Sequence, residues 1–155
     1  MLHVPLRSAY RAAHTVLRAY WRVRHPETRG ALVALWCRGQ ILVVRTTYRD
    51  EISLPGGAIG RREGPARAAV RELAEELGLV LDEGRLTHAH HGSVEFEGRR
   101  DVIDVFAVEL DERPVVRPRR AEIEWARWKD PEEVLAMDIV PHLRDYLEHV
   151  RDRRR

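Results

Sequence analysis

Between residues 1 and 26 the apolar positions fall three and four apart. Leu6, Tyr10, Ala13, Leu17 and the pair Tyr20/Trp21 are interleaved with Arg7, Arg11, Arg18 and Arg22, which predicts an amphipathic helix ended by Pro26. Its apolar side is expected to dock on the rest of the domain or on a partner subunit. Residues 31–37 and 41–47 are then continuous apolar, β-branched runs around Arg38-Gly39-Gln40, the pattern of a β-hairpin. Leu54-Pro55-Gly56-Gly57 breaks regular structure. From Pro65 the helical period returns: Ala66, Ala69, Val70, Leu73 and Leu77 form one stripe, with Pro65 in the first turn and Gly78 as terminator.

Strands are expected again over 86–96 and 102–110, separated by the turn Glu97-Gly98-Arg99-Arg100. A proline- and arginine-containing loop follows at 113–120, then a short strand over 123–128. Asp130 is placed to cap a helix that begins with Pro131. A last helix after Pro141 buries Leu143, Leu147 and Val150 and frays over 151–155. There are no internal repeats. The fold class is mixed α/β of the α+β kind, with an N-terminal helix (1–26) in front of one domain (27–155).

Composition narrows the class. The chain has 155 residues, 44% hydrophobic and 34% charged, so it buries a core and is not a disordered polyelectrolyte. No apolar run approaches the length of a membrane span, so no membrane is expected as a partner. Cys37, the single cysteine, lies in an apolar run, and a reducing, cytoplasmic location is the expectation. Net charge is +2, and Lys129 is the only lysine. The arginine bias runs through the whole chain without forming a basic segment, so nucleic acid is not expected as a partner. Residues 1–26 lack Asp and Glu, as a transit peptide does, but serine is scarce and no linker follows.

The chemistry lies on the helix at 65–77. Glu72, Glu75 and Glu76 are three and four residues apart and project from one side, opposite the apolar stripe. Two unit charges about 4 Å apart repel by roughly 4 kcal/mol at an effective dielectric near 20. Arg71 offsets part of this. Hard divalent cations want such oxygen ligands, and Mg²⁺ commonly combines one or two carboxylates with phosphate oxygens. Gly56 and Gly57 let backbone approach a ligand closely, and a helix N-terminus favours phosphate. Together these features point to phosphoryl chemistry assisted by a metal ion.

Gly57-Ala58-Ile59-Gly60-Arg61-Arg62-Glu63, seven further residues, then Arg71-Glu72-Leu73-Ala74-Glu75-Glu76-Leu77-Gly78-Leu79 resembles the Nudix box, G-x5-E-x7-R-E-U-x-E-E-x-G-U, at every specified position. The box covers 23 residues, and Leu54-Pro55-Gly56-Gly57 resembles the turn through which the family enters it. The resemblance implies the Nudix fold, a mixed sheet between helices, over 27–155, and hydrolysis of a diphosphate linkage in a small nucleoside diphosphate derivative. It implies Mg²⁺ or Mn²⁺ held by Glu75, Glu76 and the Gly57 carbonyl. Glu72 would be a further ligand or the base that activates water. Arg71 would orient the glutamates by salt bridge, Glu63 would support the loop or the outer metal shell, and Gly56 would support the site. RNA 5′-end pyrophosphohydrolase and non-catalytic sensor are the alternative readings. Ile52, Gly60 and Arg62 depart from residues common in the family and bear on loop shape, hence on substrate preference.

Outside the box, Glu122 is the first candidate for an extra acid or ligand, followed by Glu124, and then Glu95 or Glu97. Arg99 and Arg100 are candidates for substrate binding. His88, His90 and His91 read as ordinary strand histidines, two on one face and one on the other. Trp125 and Trp128 read as core. Tyr10, Tyr20 and Trp21 give the N-terminal helix an aromatic cluster suited to a homodimer.

Overall fold

The structure, a computed structural model, describes residues 3–155, with side chains from Arg7 onward; the expected apolar contact of Leu6 therefore lies outside the described residues. Helix α1 (His3–Arg24) leads into β1 (Glu27–Cys37), which is buried from Gly30 to its end because sheet neighbours and helices cover both faces. Arg38 and Gly39 take positive φ (51° and 79°) in the tight turn to β2 (Gln40–Thr46). Then follow β3 (Ile52–Ser53), β4 (Gly56–Ala58), α2 (Pro65–Leu77), β5 (Thr87–Phe96), β6 (Arg99–Glu109), β7 (Ile123–Lys129), α3 (Pro131–Leu135) and α4 (Pro141–Arg153).

Among the described residues the strands form one mixed sheet in the order β3-β2-β1-β6-β5, with β4 also paired to β1 and β7 to β2. β1 and β6 are parallel, with Leu32 opposite Val105; the other pairings are antiparallel. The β1–β2 hairpin is paired only near its turn, at Trp36↔Ile41 and Cys37↔Gln40. Beyond it the strands splay. β4 takes the freed flank of β1 (Ala31↔Gly57), and β7 takes that of β2 (Val44↔Ala126). This split in the sheet sets Gly56 and Gly57 at the mouth of a cleft.

Two apolar layers hold the sheet. Ala68, Ala69, Leu73 and Leu77 of α2 pack on Ala31, Val33, Leu35 and Phe106, while Leu143, Tyr146 and Leu147 of α4 pack on Leu32, Ala34, Ile103 and Val105. Trp128 and Trp125, expected in the core, are partly buried and pack against its two layers. The architecture is the expected mixed sheet between helices. Helix α2 has the expected bounds, ended by Gly78 in the left-handed region (φ 67°).

Several local expectations change. Asp130 precedes α3 but makes no side-chain cap; its carboxylate accepts from Gln40 instead. Helix α4 stays helical through Arg153 instead of fraying at 151. Glu76 lies on the buried face of α2 beside Leu73 and Leu77, not on an outward acidic face. In β5 the register shifts between His88 and His90, so an extra residue stands in the strand. His88 and His91 thereby meet on one face, at Asp104, while the His90 ring packs near Tyr146 and His149 of α4.

Candidate active site

The Leu54-Pro55-Gly56-Gly57 turn is anchored by backbone: Val33 donates its N–H to the Pro55 carbonyl at 2.9 Å. Gly56 has φ 142°, and a Cβ there would stand 2.2 Å from the Ala31 carbonyl oxygen. A Cβ on Gly57 would stand 2.7 Å from the Glu72 carboxylate. Gly56 demands glycine, for conformation and closeness to backbone, whereas a Cβ on Gly57 would instead have to displace the Glu72 carboxylate.

Against this turn α2 sets its acids. The Gly56 N–H donates to Glu76 Oε2 at 2.9 Å. Glu76 is 6% exposed, and its carboxyl is pushed up to about 8, first by burial and then by Glu72, Glu122 and Glu75, against the pull of the Gly56 amide. Burial also raises the Glu72 carboxyl, opposed by Arg71. Arg71 is the organiser: Nε donates to Glu63 (2.8 Å), Nη1 to Glu72 (2.9 Å) and Glu75 (3.3 Å), and Nη2 to Glu63 and the Ala58 carbonyl (both 3.0 Å). Its fork and the Gly60 N–H hold the Glu63 carboxyl down at about 2, so Glu63 clamps the loop to the helix.

Arg71 thus serves three carboxylates, while among the described residues Glu76 receives only an amide. Burial and its acidic neighbours disfavour the ionised form of Glu76, and a hard divalent cation is the partner that would stabilise that form. The donor set of Glu72, Glu75, Glu76 and the Gly57 carbonyl is all oxygen, as Mg²⁺ and Mn²⁺ require.

From Gly56, Gly57 and Glu76 a cavity of about 470 Å³ runs through the split in the sheet. Helix α1 roofs it with Tyr10, His14, Leu17 and Trp21, and Tyr48 and Phe96 add aromatic wall. Arg99 is 9% exposed and forms part of this wall. Trp21 covers its guanidinium, 3.8 Å from the ring centroid, and Asp101 (3.3 Å) and Glu97 (3.5 Å) flank it. Arg99 Nε finds no hydrogen-bond partner among the described residues. Arg100, one residue on, faces the opposite side of β6, bonded to Ser93 and near Glu27, outside the cavity.

Glu122 stands at the site's edge: its charge reaches Glu72 and Glu76, Tyr10 donates to it at 3.2 Å, and Arg119 lies 3.5 Å away. Glu124 pairs with Arg7 and Arg45. Glu97 is buried among His14, Arg49 and Arg99, a structural hub under α1; burial raises its carboxyl, but the His14 and Arg49 contacts outweigh that and bring it to about 2.

Several cavity residues carry no local sequence signal. Tyr48 and Arg49 follow β2, and the buried pair Asp101–His142 (3.0 Å) joins positions 41 residues apart. Tyr10 and Trp21 of the expected aromatic cluster turn toward the domain, while Tyr20 remains outside.

A family model described as the NUDIX domain matches residues 26–150. Similar solved structures include a MutT protein from Methanosarcina mazei Go1 (19% identity over 84% of this chain and 96% of that one, TM-score 0.72). They also include a MutT NUDIX hydrolase from Burkholderia pseudomallei (25%, 80% and 98%, TM-score 0.70) and a C. elegans Ap4A hydrolase (16%, 81% and 96%, TM-score 0.68). No curated protein matches the sequence. Among the described residues no helix is long and apolar enough to cross a membrane.

Proposed function

The chain belongs to the Nudix family of pyrophosphohydrolases, enzymes that use divalent metal ions on small nucleotide derivatives, and on that premise we propose that it cleaves a diphosphate linkage in a nucleoside diphosphate derivative whose aromatic part lies beneath α1. The cavity carries this reading: it begins at Gly57 and Glu76 and ends under Trp21. Its volume, about 470 Å³, is that of a small-ligand pocket. A roof of α1 over the far end favours a free nucleotide derivative over the 5′ end of an RNA chain.

Glu75, Glu76, Glu72 and the Gly57 carbonyl would hold Mg²⁺ or Mn²⁺. Bound there, the ion supplies Lewis-acid neutralisation of the diphosphate oxygens. The chain's own groups do the rest. Arg71 fixes Glu72 against Gly57 and holds Glu75 on the same guanidinium. Glu72, partly buried, would either complete that ligand set or take the proton of the attacking water as the new P–O bond forms and the bridging P–O bond of the diphosphate breaks. Glu122 adds negative charge at the rim. Arg99, covered by Trp21, would lend positive charge to the cavity wall.

The test is a phosphate-release panel of nucleoside triphosphates, nucleotide sugars such as ADP-ribose, and 5′-triphosphorylated RNA, with Mg²⁺ and with Mn²⁺. Dinucleoside polyphosphates belong in it because one similar structure is an Ap4A hydrolase. Turnover of a small nucleotide derivative well above that of RNA supports the reading. RNA as the preferred substrate, or binding without turnover across the panel, contradicts it. The cytoplasm as location and a homodimer through α1 are part of the same proposal.

A further inference from the structure

We propose that His88, His91 and Asp104 form a second metal site, of nitrogen-rich character, that takes Zn²⁺ independently of the glutamates on α2. Regular alternation along β5 would put His88 and His91 on opposite faces. The bulge between His88 and His90 cancels that, aligning His88 with Phe106 and His91 with Asp104. His88 Nε2 and His91 Nδ1 then both lie 2.8 Å from the same oxygen, Asp104 Oδ1. The three ligand atoms fall within 4.8 Å of one another. A tetrahedral zinc ion with bonds near 2.0 Å needs its ligand atoms roughly 3.3 Å apart, so only a small opening of the two contacts admits one.

The cluster is built to allow that opening. Asp104 is 8% exposed and fixed in β6, whereas the side chains of His88 and His91 are 51% and 58% exposed. The carboxylate is the fixed ligand and the imidazoles can move outward, with solvent on the open side to complete four-coordination. Phe106 meets the His88 ring edge to face (5.4 Å between centroids, 81°) and limits its rotation. Two imidazoles and one carboxylate suit zinc, whereas Mg²⁺ prefers oxygen alone.

The site is also distinct in space from the glutamates. Asp104 pairs with Ala31 of β1, and Ala31 pairs on its other flank with Gly57. Two strand spacings, roughly 10 Å in all, therefore separate the two sites within the sheet. An ion at Asp104 would tie the edge strand β5 to β6 without sharing a ligand with the box.

Equilibrium dialysis of the full chain against micromolar Zn²⁺, followed by metal analysis, tests this in a Glu72→Gln/Glu76→Gln background that disables the α2 site. The expected result is one zinc per chain, with affinity lowered at least about tenfold when His91→Ala is added. Co²⁺ in place of Zn²⁺ should give visible absorption bands of a low-coordinate site, lost in the same variant. His91 is exposed, so the substitution should leave folding intact; thermal melting checks this, and His88→Gln provides a second variant. Absence of zinc from the glutamate-disabled protein, or its retention after His91→Ala and His88→Gln, would overturn the proposal.

Discussion

The backbone N–H of Gly56 donates to Glu76 Oε2 at 2.9 Å, tying the turn after β3 to the last turn of α2. The bond fixes one acceptor edge of a carboxyl that, among the described residues, has no cation at hydrogen-bond distance. It also requires Gly56 to keep a conformation that only glycine adopts easily. Gly56→Ala should therefore destabilise the fold by about 3 kcal/mol or more through backbone strain and collision with Ala31. Urea denaturation checks this, and a loss below about 1 kcal/mol would show that the turn relaxes freely.

Gly57→Ala should behave differently. Its φ is not in the left-handed region, and the added Cβ meets the end of the Glu72 side chain instead of backbone. The expected outcome is a modest stability loss with a large fall in kcat, because Glu72 is displaced. Steady-state kinetics alongside thermal melting separates the two effects.

Arg71→Lys keeps the charge but not the fork. A lysine cannot reach Glu63, Glu72 and the Ala58 carbonyl together, so the Glu63 clamp opens. Turnover should fall on the order of a hundredfold. Stability should change by about 1 kcal/mol or less, since Arg71 is a third exposed. Wild-type kcat in Arg71→Lys would show that charge alone suffices.

Trp21→Ala tests the α1 roof. Losing the face that covers Arg99 should raise KM about tenfold while kcat falls little, because the change is remote from the glutamates. An unchanged KM for every substrate in the panel would place the aromatic group elsewhere.

Acid should unfold the protein partly through Asp101. Burial raises its carboxyl, but hydrogen bonds from His142 and Thr28 and the charge of Arg99 outweigh that and hold it at about 2, against 3.8 for a free side chain. The unfolded chain binds that proton first as pH falls. The contribution, about 2 kcal/mol, is thus fully present above pH ~5 and is lost between roughly pH 4 and pH 2. Stability against urea over that range should fall less steeply in Asp101→Asn than in wild type. Equal slopes would remove Asp101 from the acid transition.

What the sequence made legible was local. Helix α2 has its expected bounds because Pro65, the apolar stripe and Gly78 each act within a turn or two of themselves. The box glutamates were visible for the same reason. What depended on partners far along the chain was not visible. Of the expected apolar side of α1, Tyr10, Ala13, Leu17 and Trp21 line the cavity, but the directed contacts beneath the helix were not legible: Arg11 to the Thr47 carbonyl, His14 to Glu97, and Trp21 on Arg99. The surface it meets is assembled from Thr47, Glu97, Arg99 and Glu122, whose convergence no helical period encodes. Two histidines do lie on one face and one on the other, but which two pair was not legible, because the bulge at His88–His90 follows from pairing with β6. Glu76 looked solvent-facing because its neighbour across the gap, Gly56, is 20 residues away.

The role of the Glu76 carboxylate is tested most sharply by kcat for Glu76→Gln against wild type, with the best substrate and Mg²⁺. Gln keeps the shape and the acceptor for the Gly56 amide while removing the charge that would bind the cation. Turnover should fall on the order of a hundredfold or more with the melting temperature essentially retained. Turnover within a few-fold of wild type in a folded Glu76→Gln protein would contradict the account.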